Sequence, residues 1–371
     1  MIGGNFPCIN TVSLLTKKEN LKRIKRNPER FEVLDLYSTI GQKYGFKLND
    51  PKSYEEFVKV INASLENSKT DHQLLYGKRI ETLFGYIVGA LGNSSFLKSE
   101  DSGEIFTDSS NHNIVPPDFK IILKNGSCFF VEVKNYHQAI NKAFTLSKKS
   151  FEKLSNYSKL HNLPLKIAIY FSQANKWVLL SPESFEVGNK NLKISFTSAY
   201  AKSEMSIIGD KLLGTIPDLI LEFKTSLDEA AKIEGKDNVP FTIREVNMFC
   251  NGSEIKEKTE KDIAFYLMRY GSWVEKKVDN LIVHDKLLGV RFTFSPEFIN
   301  DEDENEFQLI GTLSEMISNA YKEHTIDDNQ IVALSTNADP QIFRPLIPDG
   351  YKGKQLPLWQ FVIGSNQEFK G

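Results

Sequence analysis

What most constrains this chain is a short hairpin with charged residues gathered at one end. The stretch from Pro116 to Asn135 reads as two β-rich runs around Asn125-Gly126, a turn signal. Residues two apart on a strand share a face, so Glu132 and Lys134 project together while Val131 and Val133 enter the opposite layer. Pro117-Asp118 opens the first run, and register decides whether Asp118 joins the other two. A two-residue turn at Asn125-Gly126 pairs 118 with 133 and turns the carboxylate to the wrong face, since a one-residue slip inverts every side chain. A three-residue loop, Lys124-Asn125-Gly126, pairs 118 with 132 instead. Such a loop ends in a left-handed residue beside a bulge. The expected hairpin therefore has Gly126 at positive φ, or an equivalent bulge elsewhere.

Two carboxylates and a lysine brought together this way fit a divalent metal site acting on phosphodiesters. Mg²⁺, or Mn²⁺, takes hard oxygen ligands and keeps several waters, so no histidine or thiolate is needed. Asp118, Glu132 and the backbone carbonyl of Val133 are the candidate ligands. An ion there polarises a phosphate and lowers the pKa of a bound water. Lys134 orients that water and balances developing charge. The alternative is that Asp118 caps a loop while Glu132 and Lys134 form a solvated strand face.

Glu-x-Lys alone is unspecific, because it occurs six times, at Glu132, Glu222, Glu234, Glu254, Glu275 and Glu368. A second near-match, Pro217-Asp218 followed by Glu222-Phe-Lys224, leaves no room between its carboxylates for a turn and a second strand. It reads as one strand with Leu219, Leu221 and Phe223 inward.

The surroundings of the first match agree with it. Ile80, Leu83, Phe84, Ile87, Val88 and Leu91 recur at helical spacing, which predicts an amphipathic helix over 72–92 packed on the sheet. Gly77, Glu81, Gly85 and Gly89 form one stripe on it. Glycine inside a helix costs about 1 kcal/mol relative to alanine, so the stripe implies close approach to another element. A second helix is expected over 146–161, carrying Lys153 and Tyr157 one turn apart, and buried strands over 165–171 and 176–180.

This order and these residues resemble the PD-(D/E)xK nuclease superfamily, the restriction-endonuclease-like fold, with features of its Mrr-like and Holliday-resolvase-like branches. The resemblance covers residues 72–182. It implies an α/β (α+β) fold, a central mixed sheet flanked by helices. It also implies a metal-dependent endodeoxyribonuclease serving restriction or anti-phage defence, with Asp118 and Glu132 binding metal and Lys134 assisting the water. An acidic residue on the first helix completes many such sites, and Glu81 matches it, through water or on a second ion. Some branches carry Gln-x-x-x-Tyr on the helix after the motif; here Lys153 and Tyr157 occupy those places as candidate substrate contacts, with lysine replacing glutamine.

Length divides the chain into a helical region over 1–70, a nuclease unit over 71–226 and a smaller α+β unit over 240–371. In the last, helices are expected over 263–270 and 309–323, and strands over 290–294 and 358–363. Residues 184–224 read as continuing strands, 192–196 among them, that extend the nuclease sheet or begin another domain. A basic cluster (Lys17, Lys18, Lys22, Arg23, Lys25, Arg26, Arg30) tracks a phosphate backbone, docks a partner, or is simply solvated. The Asp301–Glu304 run repels phosphate, so the C-terminal unit is expected to bind a protein partner or a second copy, or to regulate.

The net charge of −2 leaves nucleic-acid binding to local grooves rather than to the whole surface. DNA is the expected partner; nothing in the motif rejects RNA. Cys8, Cys128 and Cys250 form no CxxC, which argues against structural zinc and a disulfide framework. No run is long and apolar enough for a membrane span, and the expected location is cytoplasmic. His112 and His137 flank the motif without partners at metal-ligand spacing. Two further readings stand beside the active nuclease: a latent subunit awaiting a partner, and a non-catalytic scaffold.

Overall fold

The computed structural model describes residues 21, 29, 31–100, 105–108, 113–233, 239–298, 306–336, 339, 341–344, 347–348 and 350–370. The basic cluster, Cys8, His112 and the Asp301–Glu304 run lie outside the described residues. The fold is mixed α+β.

Three helices lead the described chain: α1 (Glu32–Tyr44), α2 (Pro51–Thr70) and α3 (His72–Leu91). Pro51 sits in the first turn of α2, where its missing N–H costs nothing, and the Asp50 side chain accepts from the Lys52 N–H. Asp71 caps α3 by accepting from the Leu74 N–H at 3.0 Å. Gly92 stops it at φ 74°.

There follow β1 (Ser94–Ser99), β2 (Phe119–Leu123), β3 (Cys128–Tyr136), β4 (Phe144–Ser147), α4 (Lys148–Leu160), β5 (Leu165–Phe171) and β6 (Lys176–Leu180). Five of these strands make one sheet in the order β1-β2-β3-β5-β6. Only β3 and β5 run parallel; the other pairs are antiparallel. The chain continues through β7 (Glu186–Val187), β8 (Asn191–Ile194) and α5 (Phe196–Ala201). Residues 192–196 do not extend the five-stranded sheet. β8 joins β4 and β7 in a small three-stranded sheet, and Phe196 starts a helix capped by Ser195, whose hydroxyl accepts from the Ser198 N–H.

The second half comprises β9 (Leu212–Thr215), β10 (Leu219–Lys224), β11 (Glu245–Cys250), β12 (Ser253–Glu254), α6 (Lys258–Tyr270), β13 (Val274–Val283), β14 (Lys286–Ser295), β15 (Gln308–Thr312), α7 (Leu313–Thr325), the paired β16 (Ile326–Asp327) and β17 (Gln330–Ile331), and β18 (Trp359–Phe361). Strands β12-β11-β10-β14-β13 form a second five-stranded sheet, and β15-β9-β18 a third sheet. The 212–224 segment therefore pairs with strands that come after it.

Alternation along β3 sorts the core into two layers. Val131 and Val133 pack with Phe84, Ile87 and Val88 of α3 and with Ile317 and Tyr321 of α7. Phe130 faces the other way, with Ile167, Ile169, and Leu154 and Tyr157 of α4. Helix α7 is thus part of the first sheet's core. Trp177 Nε1 donates to Ser318 at 3.0 Å, Lys176 pairs with Glu315, and the buried Arg79 of α3 donates to Thr325 at 2.8 Å.

Two predicted helices begin later than periodicity implied. Residues 144–147 pair with 191–194, so α4 starts at Lys148 rather than 146. Residues 308–312 pair with β9, so α7 starts at Leu313 rather than 309. On the glycine stripe, a Cβ added at Gly85 would meet the Phe119 ring at 3.7 Å, an ordinary contact. At Gly77 an added Cβ would meet nothing within 4 Å.

Candidate active site on the β2–β3 hairpin

Register sets the site. Strands β2 and β3 pair Phe119 with Val131 and, at the turn end, Ile122 with Cys128. One step back from Phe119, Asp118 stands opposite Glu132. The Leu123 N–H donates to Ser127 O at 2.8 Å, enclosing the three-residue loop Lys124-Asn125-Gly126, and the Gly126 N–H donates to Leu123 O at 3.0 Å. Gly126 has φ 87°, a conformation that side-chain-bearing residues adopt at a cost. Asn125 Oδ1 braces the loop by accepting from the Ser127 N–H at 3.0 Å.

Asp118, Glu132 and Lys134 come together on this hairpin. Asp118 Oδ2 accepts from the Val133 N–H at 2.6 Å, and Lys134 Nζ donates to Glu132 Oε1. Glu132 is only 9% exposed. Glu81 approaches from α3 with its carboxylate 2.8 Å from Lys78. The Asp118 carboxyl is pushed up to about 7 from its usual 3.8. Burial is the main cause and the Glu132 charge the next; the Val133 N–H and Lys134 pull the other way, while Glu81 adds to the rise. Burial more than charge thus sets the rise, and the neighbouring carboxylates add to it. Among the described residues, no three His, Cys, Asp or Glu side chains close into a metal-binding cluster.

Lys153 and Tyr157 are tied to the connection around β1 and β2. The carbonyl of Lys153 accepts from the Val115 N–H at 3.3 Å. Tyr157 is buried, and its hydroxyl donates to Glu100 Oε2 at 3.1 Å. Burial first, then the Glu100 carboxylate, push the Tyr157 hydroxyl up to about 12. On the other flank, the carbonyl of His137 accepts from Gln173 Nε2 at 3.1 Å.

Glu100 is the residue that sequence reasoning missed. Its N–H donates to Asp118 O at 2.9 Å, and its carboxylate also meets Lys98 at 3.0 Å. Since β1 pairs Ser99 with Phe119, Glu100 falls in the same cross-strand row as Asp118 and Glu132. Little in the sequence signals it, because Ser94–Ser99 is an edge strand with little apolar alternation. Across these strands run one acidic row and, at Lys98 opposite Lys120, a basic row beside it.

The second near-match lies along one strand, β10, as its spacing predicts. Glu222 lies fully buried within the second five-stranded sheet, accepting from Arg291 Nε at 2.6 Å, with Lys224 Nζ at 2.8 Å. Burial alone would raise its pKa, yet Lys224 and Arg291 hold it below the ordinary value. Asp218 accepts from the Ser295 hydroxyl. Leu219 and Leu221 face the core as expected, with Phe223 packed against it half-buried.

No protein-family model matches the chain, and no curated protein matches it either. Among solved structures it is similar to Hjc, a Holliday junction resolvase from the archaeal hyperthermophile Archaeoglobus fulgidus, at 17% identity and a TM-score of 0.22. That match covers 29% of this chain and 81% of that one.

Proposed function

We propose that this protein is a divalent-metal-dependent endonuclease that hydrolyses DNA phosphodiesters at Asp118, Glu132 and Lys134, in the service of restriction or anti-phage defence. The observation that carries the reading is the hairpin register, which sets two carboxylates opposite each other with a lysine two residues further on the same face. The donor set fits Mg²⁺ or Mn²⁺: hard carboxylate oxygens on neighbouring strands, with an Asp118 carboxyl raised by burial first and by the Glu132 charge next. Asp118, Glu132 and the Val133 carbonyl would hold the ion, with Glu81 as an outer ligand. When bound, it supplies Lewis acidity toward the phosphate and a water of lowered pKa.

The chain's own residues do the rest. Asp118 gives up its proton near neutral pH to act as a ligand, so acid withdraws it. Lys134 leaves its ion pair with Glu132 to hold the attacking water and face the charge that develops on the phosphoryl oxygens. The Val133 N–H keeps the Asp118 carboxylate aimed at Glu132's strand. Lys98 and Lys120 offer positive charge to a nucleic-acid backbone along the neighbouring row.

The test is nicking of plasmid DNA in Mg²⁺ or Mn²⁺, abolished by EDTA and by Asp118→Ala, Glu132→Ala or Lys134→Ala in folded protein. Unchanged cutting by Asp118→Ala removes the reading. Linear duplex, single strands, four-way junctions and RNA assayed side by side assign the substrate.

A further inference from the structure

Helix α2 is almost all surface. Of its 20 residues only Ser53 is buried. Yet Val58, Ile61, Leu65 and Ser68 recur at alternating three- and four-residue steps, the spacing of a coiled-coil seam. Val58 and Leu65 are 54% and 53% exposed. The side of α2 beside this seam is already occupied: the Phe57 ring meets Tyr37 of α1 edge-on at 5.0 Å, and Tyr54 leans on the same ring at 5.5 Å. Helix α2 is therefore fixed on α1 with Val58 and Leu65 turned outward to water and Ile61 half-buried between them, an arrangement that favours association.

We propose that this seam docks a second copy of the same chain, α2 against α2, antiparallel about a two-fold axis. Charge selects this occupant and this direction. Setting Ile61 against the second copy's Leu65, and Leu65 against its Ile61, puts Val58 opposite Ser68 and Ser68 opposite Val58, four layers within the helix. In that register the flanking positions bring Glu55 to Lys69, Asn62 to Asn62 and Lys69 to Glu55, so both ends of the interface gain an opposite-charge pair. A parallel, in-register arrangement opposes Phe57 to Asn62 and Ser64 to Lys69 and forms none. Lys69 now pairs with Glu66 on its own helix at 2.8 Å, with both side chains largely exposed, so it exchanges partners at little cost. Twenty helical residues span about 30 Å, enough for several seam layers. The interface is separate from the hairpin site and stands whether or not that site cleaves DNA.

Analytical ultracentrifugation of the full chain from about 0.1 to about 100 µM tests the proposal, over the range where a contact of this size reads out. The wild type is expected to dimerise with concentration. Val58→Asp with Leu65→Asp should weaken self-association at least about 100-fold while circular dichroism stays unchanged, because both side chains are on the surface. Glu55→Lys and Lys69→Glu should each weaken it about 5-fold, and combining them should restore it, an outcome that a general loss of helix cannot produce. A wild-type monomer throughout the range assigns the seam to another occupant and overturns the proposal. So does a dimer indifferent to the double aspartate variant, or a combined charge variant weaker than either single one.

Discussion

Replacing Asp118 with asparagine should make the metal-free protein more stable while disabling it. The Asp118 carboxyl ordinarily titrates at 3.8 and is held at about 7 in the folded chain, a rise of roughly three pH units. At about 1.4 kcal/mol per unit, ionising it in the native state costs on the order of 4 kcal/mol. Between about pH 4 and 7 the folded state binds a proton that the unfolded state has released, so native stability falls as pH rises through that window. Asparagine carries no charge to desolvate or to repel Glu132 and Glu81, and its carbonyl still accepts from the Val133 N–H. Urea denaturation followed by tryptophan fluorescence, with Trp177 buried in the affected core, should show Asp118→Asn matching wild type near pH 4 and exceeding it by up to about 4 kcal/mol at pH 8 in EDTA. Adding Mg²⁺ or Mn²⁺ should stabilise the wild type and leave the variant unmoved. A variant less stable than wild type at pH 8, or an offset equal at both pH values, refutes this account of the raised carboxyl.

Three other substitutions separate the parts of the site. Lys134→Ala should lower cleavage by about 10²–10⁴-fold yet tighten Mn²⁺ binding measured by calorimetry, since the ammonium competing for Glu132 is gone. Gly126→Ala has open space for its methyl group but a φ of 87°; it should cost about 1–2 kcal/mol in urea denaturation and reduce cleavage less than any change at Asp118. Tyr157→Phe removes one bond to Glu100 and should cost about 1 kcal/mol, with a fall in cleavage rate that leaves DNA affinity, measured by anisotropy, unchanged.

The legible features were those specified by neighbours in sequence. An Asn-Gly turn, strict alternation and the need to bring Asp118 to the Glu132 face were enough to define the loop and the Gly126 conformation. The 165–171 and 176–180 strands, being short apolar runs between turn signals, were equally plain. What failed depended on distant partners. Leu146 and Leu309 continue the apolar period of the helices after them, but strands β8 and β9 capture their backbones instead. Glu100 went unnoticed because β1 is an edge strand whose polar residues carry no period, and its match to Asp118 appears only once β1 lies beside β2.

The placement of α7 has a consequence for anyone dissecting this molecule. Tyr321, fully buried, meets the Tyr86 ring of α3 at a tilt and donates to the Arg79 carbonyl, and Asp210 caps the start of the same helix by accepting from the Ser314 N–H and hydroxyl. Truncating the chain after β6 would strip a wall from the layer behind the hairpin and leave Trp177 and Arg79 facing solvent. An inactive N-terminal fragment would then report a collapsed scaffold rather than a missing activator, and dissection is better done by point changes than by scissors.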